Sequence, residues 1–499
     1  MPPKFAIASL SLGNCAHHNL PTKIRTAASL GYDGIEIFIP DFEAFVNEVR
    51  GPGLHFDLFP DGRPPVEGCL EVECAKAIAR LCDSLNITIP VLQPLRDFEN
   101  FASPSALGSG GLAAALHEAE RWLKLMPHLN TSLLLVCSNY IEPKNHPFAP
   151  SDPVTEPIPP IPTQPEIETV PPGPAPSPFF PPPTQEQLST YLDTQVEAFT
   201  ALGEIAERYG VRIGYEPLAW GTMVDNWEQV WDVVRRVDRK NVGVILDSFN
   251  CLANQYADPT VSSTFLRNSA SCSQTPISSL SIPTPQKHEL VTTHLHPQNA
   301  THSALLQNLA LLALTIPGHK IFLYQVADAG PPCSSSSTIE PTPCAPARMT
   351  WSRAARLFPC EEERGGWLPV TDISLAVVEA GYPALASDTC RDGDAWWSLE
   401  VFNNSLMDPR PECVAEHGLR GLEGVRTLWE RVCAGIEAAK DDREVQSPMQ
   451  TDDSQSSDGG AVLSDSETSE EIKGEAVGNG YQAGRRKVST KWIDGCIVG

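Results

Sequence analysis

The sequence predicts a closed (β/α)8 barrel, and three observations carry that expectation. Eight short apolar runs punctuate the chain, most of them followed by a helical pattern. The runs are continuous rather than alternating, as suits parallel strands buried on both faces. No Gly-x-Gly-x-x-Gly follows the first run, which removes the usual mark of an open doubly wound sheet. Such a barrel needs roughly 250 residues, so a chain of 499 carries a surplus.

The first run, "FAIASLSL" (5–12), follows a single early lysine and reads as a strand rather than a secretory signal. "PTKIRTAASLGY" (21–32) has Pro at its start and Gly near its end, the usual asymmetry of a helix. Strands are expected next at "GIEIF" (34–38), "TIPVLQPL" (88–95) and "SLLLVCSN" (132–139), with the amphipathic helix "EVECAKAIARLCDSLN" (71–86) among them. The second half of the barrel reads as "RIGYEPLAW" (212–220), "VGVILDSFN" (242–250), "KIFLYQVADA" (320–329) and "WWSLEVFN" (396–403). Helices are expected at 187–210 and 226–238.

The surplus falls into recognisable segments. Residues 142–184 hold roughly a third of the 47 prolines and suit neither helix nor inner strand. Segments 259–290 and 329–347 are rich in Ser, Thr and Pro. All three read as poorly ordered insertions in one barrel domain spanning 1–436. Residues 437–499 read as a disordered, acidic, Ser-rich tail.

A formal net charge of -26 argues against a nucleic-acid partner, which needs Lys and Arg to neutralise phosphates. No stretch approaches the roughly 20 apolar residues of a membrane span. The 14 cysteines are scattered without zinc-ribbon spacing. A soluble cytoplasmic protein with free thiols and a small-molecule substrate is expected. Oligomeric state is not legible.

Four runs carry a polar residue toward the same end: Glu216, Asp247, Gln325 and Glu400. They fall on strands five to eight, whose C-terminal ends build the active face of such barrels. Alone, a strand-end Glu or Asp is more often a salt-bridged or helix-capping residue than a ligand, and Gln325 is unremarkable. Together, three carboxylates at one enclosed point repel, and a bound cation removes the conflict. Oxygen donors without Cys or His favour Mg2+ or Mn2+ over Co2+ or Zn2+.

These residues sit in "YEPLAWGTMVDNWEQVWDVVRRVDRKNVGVILDSFN", "KIFLYQVADA" and "WWSLEVFNNSLMDPRPECVAEHGLRGL", and the chain also carries "GIEIF", "LQPLRDFE" and "MTWSRAARLFP". That set resembles the fungal 3-dehydroshikimate dehydratases of the xylose-isomerase-like TIM barrels, over most of residues 4–436 outside the insertions. The resemblance implies conversion of 3-dehydroshikimate to protocatechuate and water in quinate and shikimate catabolism. It implies Glu216, Asp247, Gln325 and Glu400 as metal ligands and no redox cofactor.

The substrate's carboxylate calls for a guanidinium fork. Arg353 and Arg356 are the leading candidates, with Ser352 beside them and Arg96 next; a plain surface charge is the alternative for each. Glu36 is expected at the same mouth, in proton transfer, on substrate or in a structural ion pair. In some related dehydratases a histidine three residues after the metal-bound Asp moves the proton. Here that place is Asn250, which cannot act as a base and is assigned to substrate binding. Glu36, a hydroxide on the metal, or a histidine from another loop remain for the role. His17 and His18 follow strand one, His294 and His296 lie in "THLHP", and His417 reads as structural. Two other functions stay open: a sugar or sugar-acid isomerase or epimerase, and an inactive barrel used as a scaffold.

Overall fold

The structure, a computed structural model, describes residues 3–51, 54–63, 65–102, 110–141, 183–256, 297–331, 346–382 and 395–445. The segments 142–184, 259–290, 329–347 and 437–499 therefore lie wholly or mostly outside the described residues, as do His294 and His296. Among the described residues, no helix is long and apolar enough to cross a membrane.

All eight expected strands are present: β1 (Lys4–Ala8), β2 (Gly34–Phe38), β3 (Leu92–Leu95), β4 (Leu133–Cys137), β5 (Arg212–Glu216), β6 (Val242–Asp247), β7 (Ile321–Val326) and β8 (Trp396–Leu399). They pair in parallel and in sequence order, and β8 returns to β1 through Lys4 opposite Trp396, closing the barrel. Closure explains the continuous apolar runs, because each strand has a packed face on both sides. Leu134 and Val136 join the outer core against the helices. Leu133, Leu135 and Cys137 join Ala6, Val91, Ile245, Leu323 and Trp396 inside. A Cβ at Gly214 would stand 2.5 Å from Ile245 Cδ1, so glycine lets that inner layer close.

The helices are α1 (Leu20–Leu30), α2 (Ile39–Arg50), α3 (Leu70–Ser84), α4 (Gly111–Leu125), α5 (Gln185–Arg208), α6 (Trp227–Val237), α7 (Ser248–Gln255), α8 (Pro297–Thr315), α9 (Ala347–Ala355), α10 (Val370–Glu379) and α11 (Glu412–Val445). Their starts follow local chemistry. Asn19 caps α1 through Thr22 N, and Thr184 with Gln187 forms a capping box on α5. Asn226 caps α6 through Gln229 N. The helix α11 continues past 436 to Val445.

Several runs stop being strand earlier than their apolar character suggests. Residues 248–250 of "VGVILDSFN" already belong to α7, because Asp247 Oδ1 accepts from Phe249 N and Asn250 N and turns the chain into a helix. A second departure lies beyond β7. Asp328–Ala329 pairs antiparallel with Arg356–Leu357, with α9 immediately before the second strand of that ladder. Arg348 Nη1 donates to Ala219 O after β5, and Arg356 N donates to Phe402 O after β8. This segment thus crosses the C-terminal face and brings "WSRAAR" onto it.

Candidate active site

Side chains alternate along a strand, so one inward register decides which residues meet. Glu216 ends β5, Asp247 ends β6, Gln325 lies in β7 opposite Asp247, and Glu400 follows β8. All four are buried. Carboxylate oxygens of Glu216, Asp247 and Glu400 lie within 4.8 Å of one another. Beside them, Gln93 Nε2 donates to both Glu36 Oε2 and Glu400 Oε1, each at 3.0 Å. Gln325 Nε2 donates to the same Glu36 oxygen at 3.0 Å.

Arg356, fully buried, enters this cluster. Its Nη1 donates to Asp247 Oδ2 at 2.6 Å, to Glu400 Oε2 at 3.2 Å and to Glu400 O at 3.0 Å. Its Nε donates to the buried Ser352 Oγ at 3.0 Å, and its guanidinium stacks over Phe249 and Phe402. Asn250 Nδ2 donates to Glu216 Oε1 at 2.8 Å and Asp247 Oδ2 at 3.1 Å, while its Oδ1 accepts from Ala219 N. Asn250 and Ser352, both expected from sequence at the substrate, here bond Glu216 with Asp247 and Arg356 respectively.

Four carboxyls and one guanidinium make the cluster over-acidic. Burial, then Glu400 and Asp247, drive the Glu216 pKa well above the carboxylate range. Burial pushes Glu400 up to about 8 against the pull of Arg356, and pushes Glu36 up to about 7. Gln325 Oε1 and Glu36 Oε1 are buried with no hydrogen-bond partner. Native proteins rarely leave such acceptors unsatisfied. A divalent cation fits this donor set: it would neutralise the carboxylates and engage the orphan amide oxygen.

Above the cluster the mouth turns basic and aromatic. Arg96 and Arg353 are exposed, and neither has an ion pair or hydrogen bond among the described residues. They lie close enough that Arg96, after partial desolvation, lowers the Arg353 pKa. Arg96 stacks over Phe38 at 5.5 Å, and Phe38 meets Phe402 edge to face at 6.5 Å.

Among the described residues, the candidate histidines stay out of this arrangement. His17 is exposed, and His18 Nε2 bonds Asp408 O at 2.8 Å. His417 is held by Ser405 Oγ and Cys413 O on α11, as a structural residue. Gln93 was missed from sequence, although its signal was the same: a polar residue on an inward position of an apolar run. Glu99 was also missed. It is buried beyond β3 and accepts from Asn139 N at 2.8 Å, from Tyr191 Oη at 3.3 Å and from Tyr215 Oη.

Known proteins place this architecture. A 3-dehydroshikimate dehydratase of Neurospora crassa is 28% identical over 427 residues, covering 84% of this chain and 92% of that protein. A 3-dehydroshikimate dehydratase of Pseudomonas aeruginosa is 28% identical over 417 residues, but the match covers only 41% of its length. Among solved structures, a xylose isomerase-like TIM barrel/4-hydroxyphenylpyruvate dioxygenase fusion protein aligns with TM-score 0.50 and 23% identity, over 88% of this chain and 45% of that one. The pattern that defines the xylose isomerase-like TIM barrels matches residues 24–424. This chain belongs to the xylose isomerase-like TIM barrel family.

Proposed function

We propose that the protein dehydrates 3-dehydroshikimate to protocatechuate. The observation that carries the reading is the pairing of an over-acidic buried cluster with two arginines, unpartnered among the described residues, at one barrel mouth. The names of the Neurospora and Pseudomonas relatives support the same reaction. Glu216, Asp247, Gln325 and Glu400 would hold a divalent cation, and oxygen donors alone favour Mg2+ or Mn2+ over Co2+ or Zn2+. When bound, that cation supplies positive charge where the ring's C3 ketone develops enolate character.

The chain's own residues do the rest. Arg96 and Arg353 take the substrate carboxylate, each guanidinium matching it as a planar fork. Phe38 and Phe402, in edge-to-face contact, would offer the substrate ring one apolar wall. Arg356, held by Ser352, reaches the reacting oxygens from the side of Asp247 and Glu400, and Asn250 keeps Glu216 and Asp247 in place. A C6 proton is removed and returned to the C5 hydroxyl, which departs as water; the C4 proton then moves to the C3 oxygen, and the ring becomes aromatic without a redox partner. Glu36 would take the proton at Oε1, since Oε2 already accepts from Gln93 and Gln325. The barrel of residues 1–436 is the catalytic unit in this reading, and quinate and shikimate catabolism in the cytoplasm is its setting.

An isomerase or epimerase of neutral sugars would leave Arg96 and Arg353 without an anion. Incubating the protein with 3-dehydroshikimate and Mg2+ or Mn2+, and following protocatechuate absorbance, tests the proposal. Absence of product with every divalent metal would overturn it.

A further inference from the structure

We propose that Glu99 is a positioning residue that fixes where Arg96 meets the substrate's carboxylate; this rests on the function proposed above. Arg96 has no polar partner among the described residues and is held in side-chain contact by the Phe38 ring. Its placement therefore follows from its backbone. On one side lies β3, ending at Leu95. On the other, Asp97 turns the chain at positive φ (60°) into the short helix Phe98–Ala102, which carries Glu99.

Glu99 ties that turn to three other elements. Asn139 N, just beyond β4, donates to Oε2, as does Tyr191 Oη from α5, and Tyr215 Oη from β5 donates to Oε1. Phe98 and Phe101 bury apolar surface beside it, with Phe98 edge to face on Phe199 at 5.4 Å. Apolar packing is non-directional and lets a turn slide, whereas three hydrogen bonds from three elements set its register. No basic group pairs with Glu99 among the described residues, and its hydrogen bonds come from these three donors. Burial raises its pKa to about 7 while the same bonds pull it down.

The test uses Glu99→Gln and the milder Tyr191→Phe in the full chain, each alone and combined with Arg96→Ala. Steady-state kinetics with 3-dehydroshikimate and Mn2+ should show KM raised about 10-fold for Glu99→Gln and less for Tyr191→Phe, with kcat within about 2-fold. In the Arg96→Ala background neither substitution should raise KM further, because residues acting through one group are not additive. Mn2+ affinity by calorimetric titration should not move. A fall in kcat at unchanged KM, weakened Mn2+ binding, or a KM effect that persists without Arg96 would overturn the inference. No turnover by the unsubstituted protein would overturn the proposed function and this inference together.

Discussion

Two buried polar clusters in this barrel differ in one respect, and the difference separates structure from chemistry. Behind β1 and β2, Lys23 Nζ meets Asp41 Oδ1 at 2.8 Å, both essentially inaccessible. Ser9 Oγ donates to Asp41 Oδ2 at 2.5 Å and accepts from Phe38 N at 3.1 Å. One cation faces one anion, and neither Lys23 nor Asp41 has an orphaned polar atom. The cluster at the barrel mouth sets four carboxyls against Arg356 alone and leaves Glu36 Oε1 and Gln325 Oε1 unsatisfied. A balanced network stabilises only the fold. An unbalanced one must take up a proton or stay ionised beside a further cation, and that need is what a catalyst uses.

The largest effect should come from breaking the unbalanced cluster. Glu400→Ala should lower kcat/KM by at least about 10^3-fold, since ligand loss removes several kcal/mol of transition-state stabilisation. Protocatechuate formation measures it, and wild-type turnover by the variant would remove Glu400 from the site. Breaking the balanced cluster should act on stability instead. Lys23→Met strands Asp41 and should cost about 3–5 kcal/mol in urea unfolding. Turnover per folded molecule should stay unchanged. A kcat loss there would erase the distinction between the clusters.

Glu99 lies between the two cases, fully bonded but without a cation, and its pH dependence sharpens the contrast. Its folded-state pKa of about 7 lies above the ordinary 4.5. Stability therefore falls as pH rises from about 4.5 to 7, by about 3 kcal/mol for this group. Unfolding midpoints across that window should show a shallower slope in Glu99→Gln. Divalent metal should act on the mouth alone: Mn2+ at about 100 times its Kd should add about 2.7 kcal/mol to unfolding stability. Lys23→Met should keep that gain and Glu400→Ala should lose it. The smallest effect is expected for Gln93→Leu, which takes one shared donor from Glu36 and Glu400 and should cost about 1–3 kcal/mol. Calorimetry in the presence and absence of Mn2+ would measure it.

The sequence by itself determined the barrel. Eight continuous apolar runs separated by helical patterns admit few other closed arrangements, and strand-end polarity singled out Glu216, Asp247, Gln325 and Glu400. Those four were legible because they lie on consecutive strands, where order along the chain equals order around the sheet. Only the tertiary structure decided what meets them. Gln93 and Glu36 come from the first half of the barrel and reach Glu400 and Gln325 because β8 closes onto β1. The segment after β7 carries Arg356 inward while leaving Arg353, three residues earlier, at the rim beside Arg96. No local rule sets that split, because it depends on a two-residue ladder with Asp328–Ala329 and on bonds to Ala219 and Phe402. Strand periodicity is local and can be read along a chain. Convergence across a closed barrel is a property of three-dimensional register.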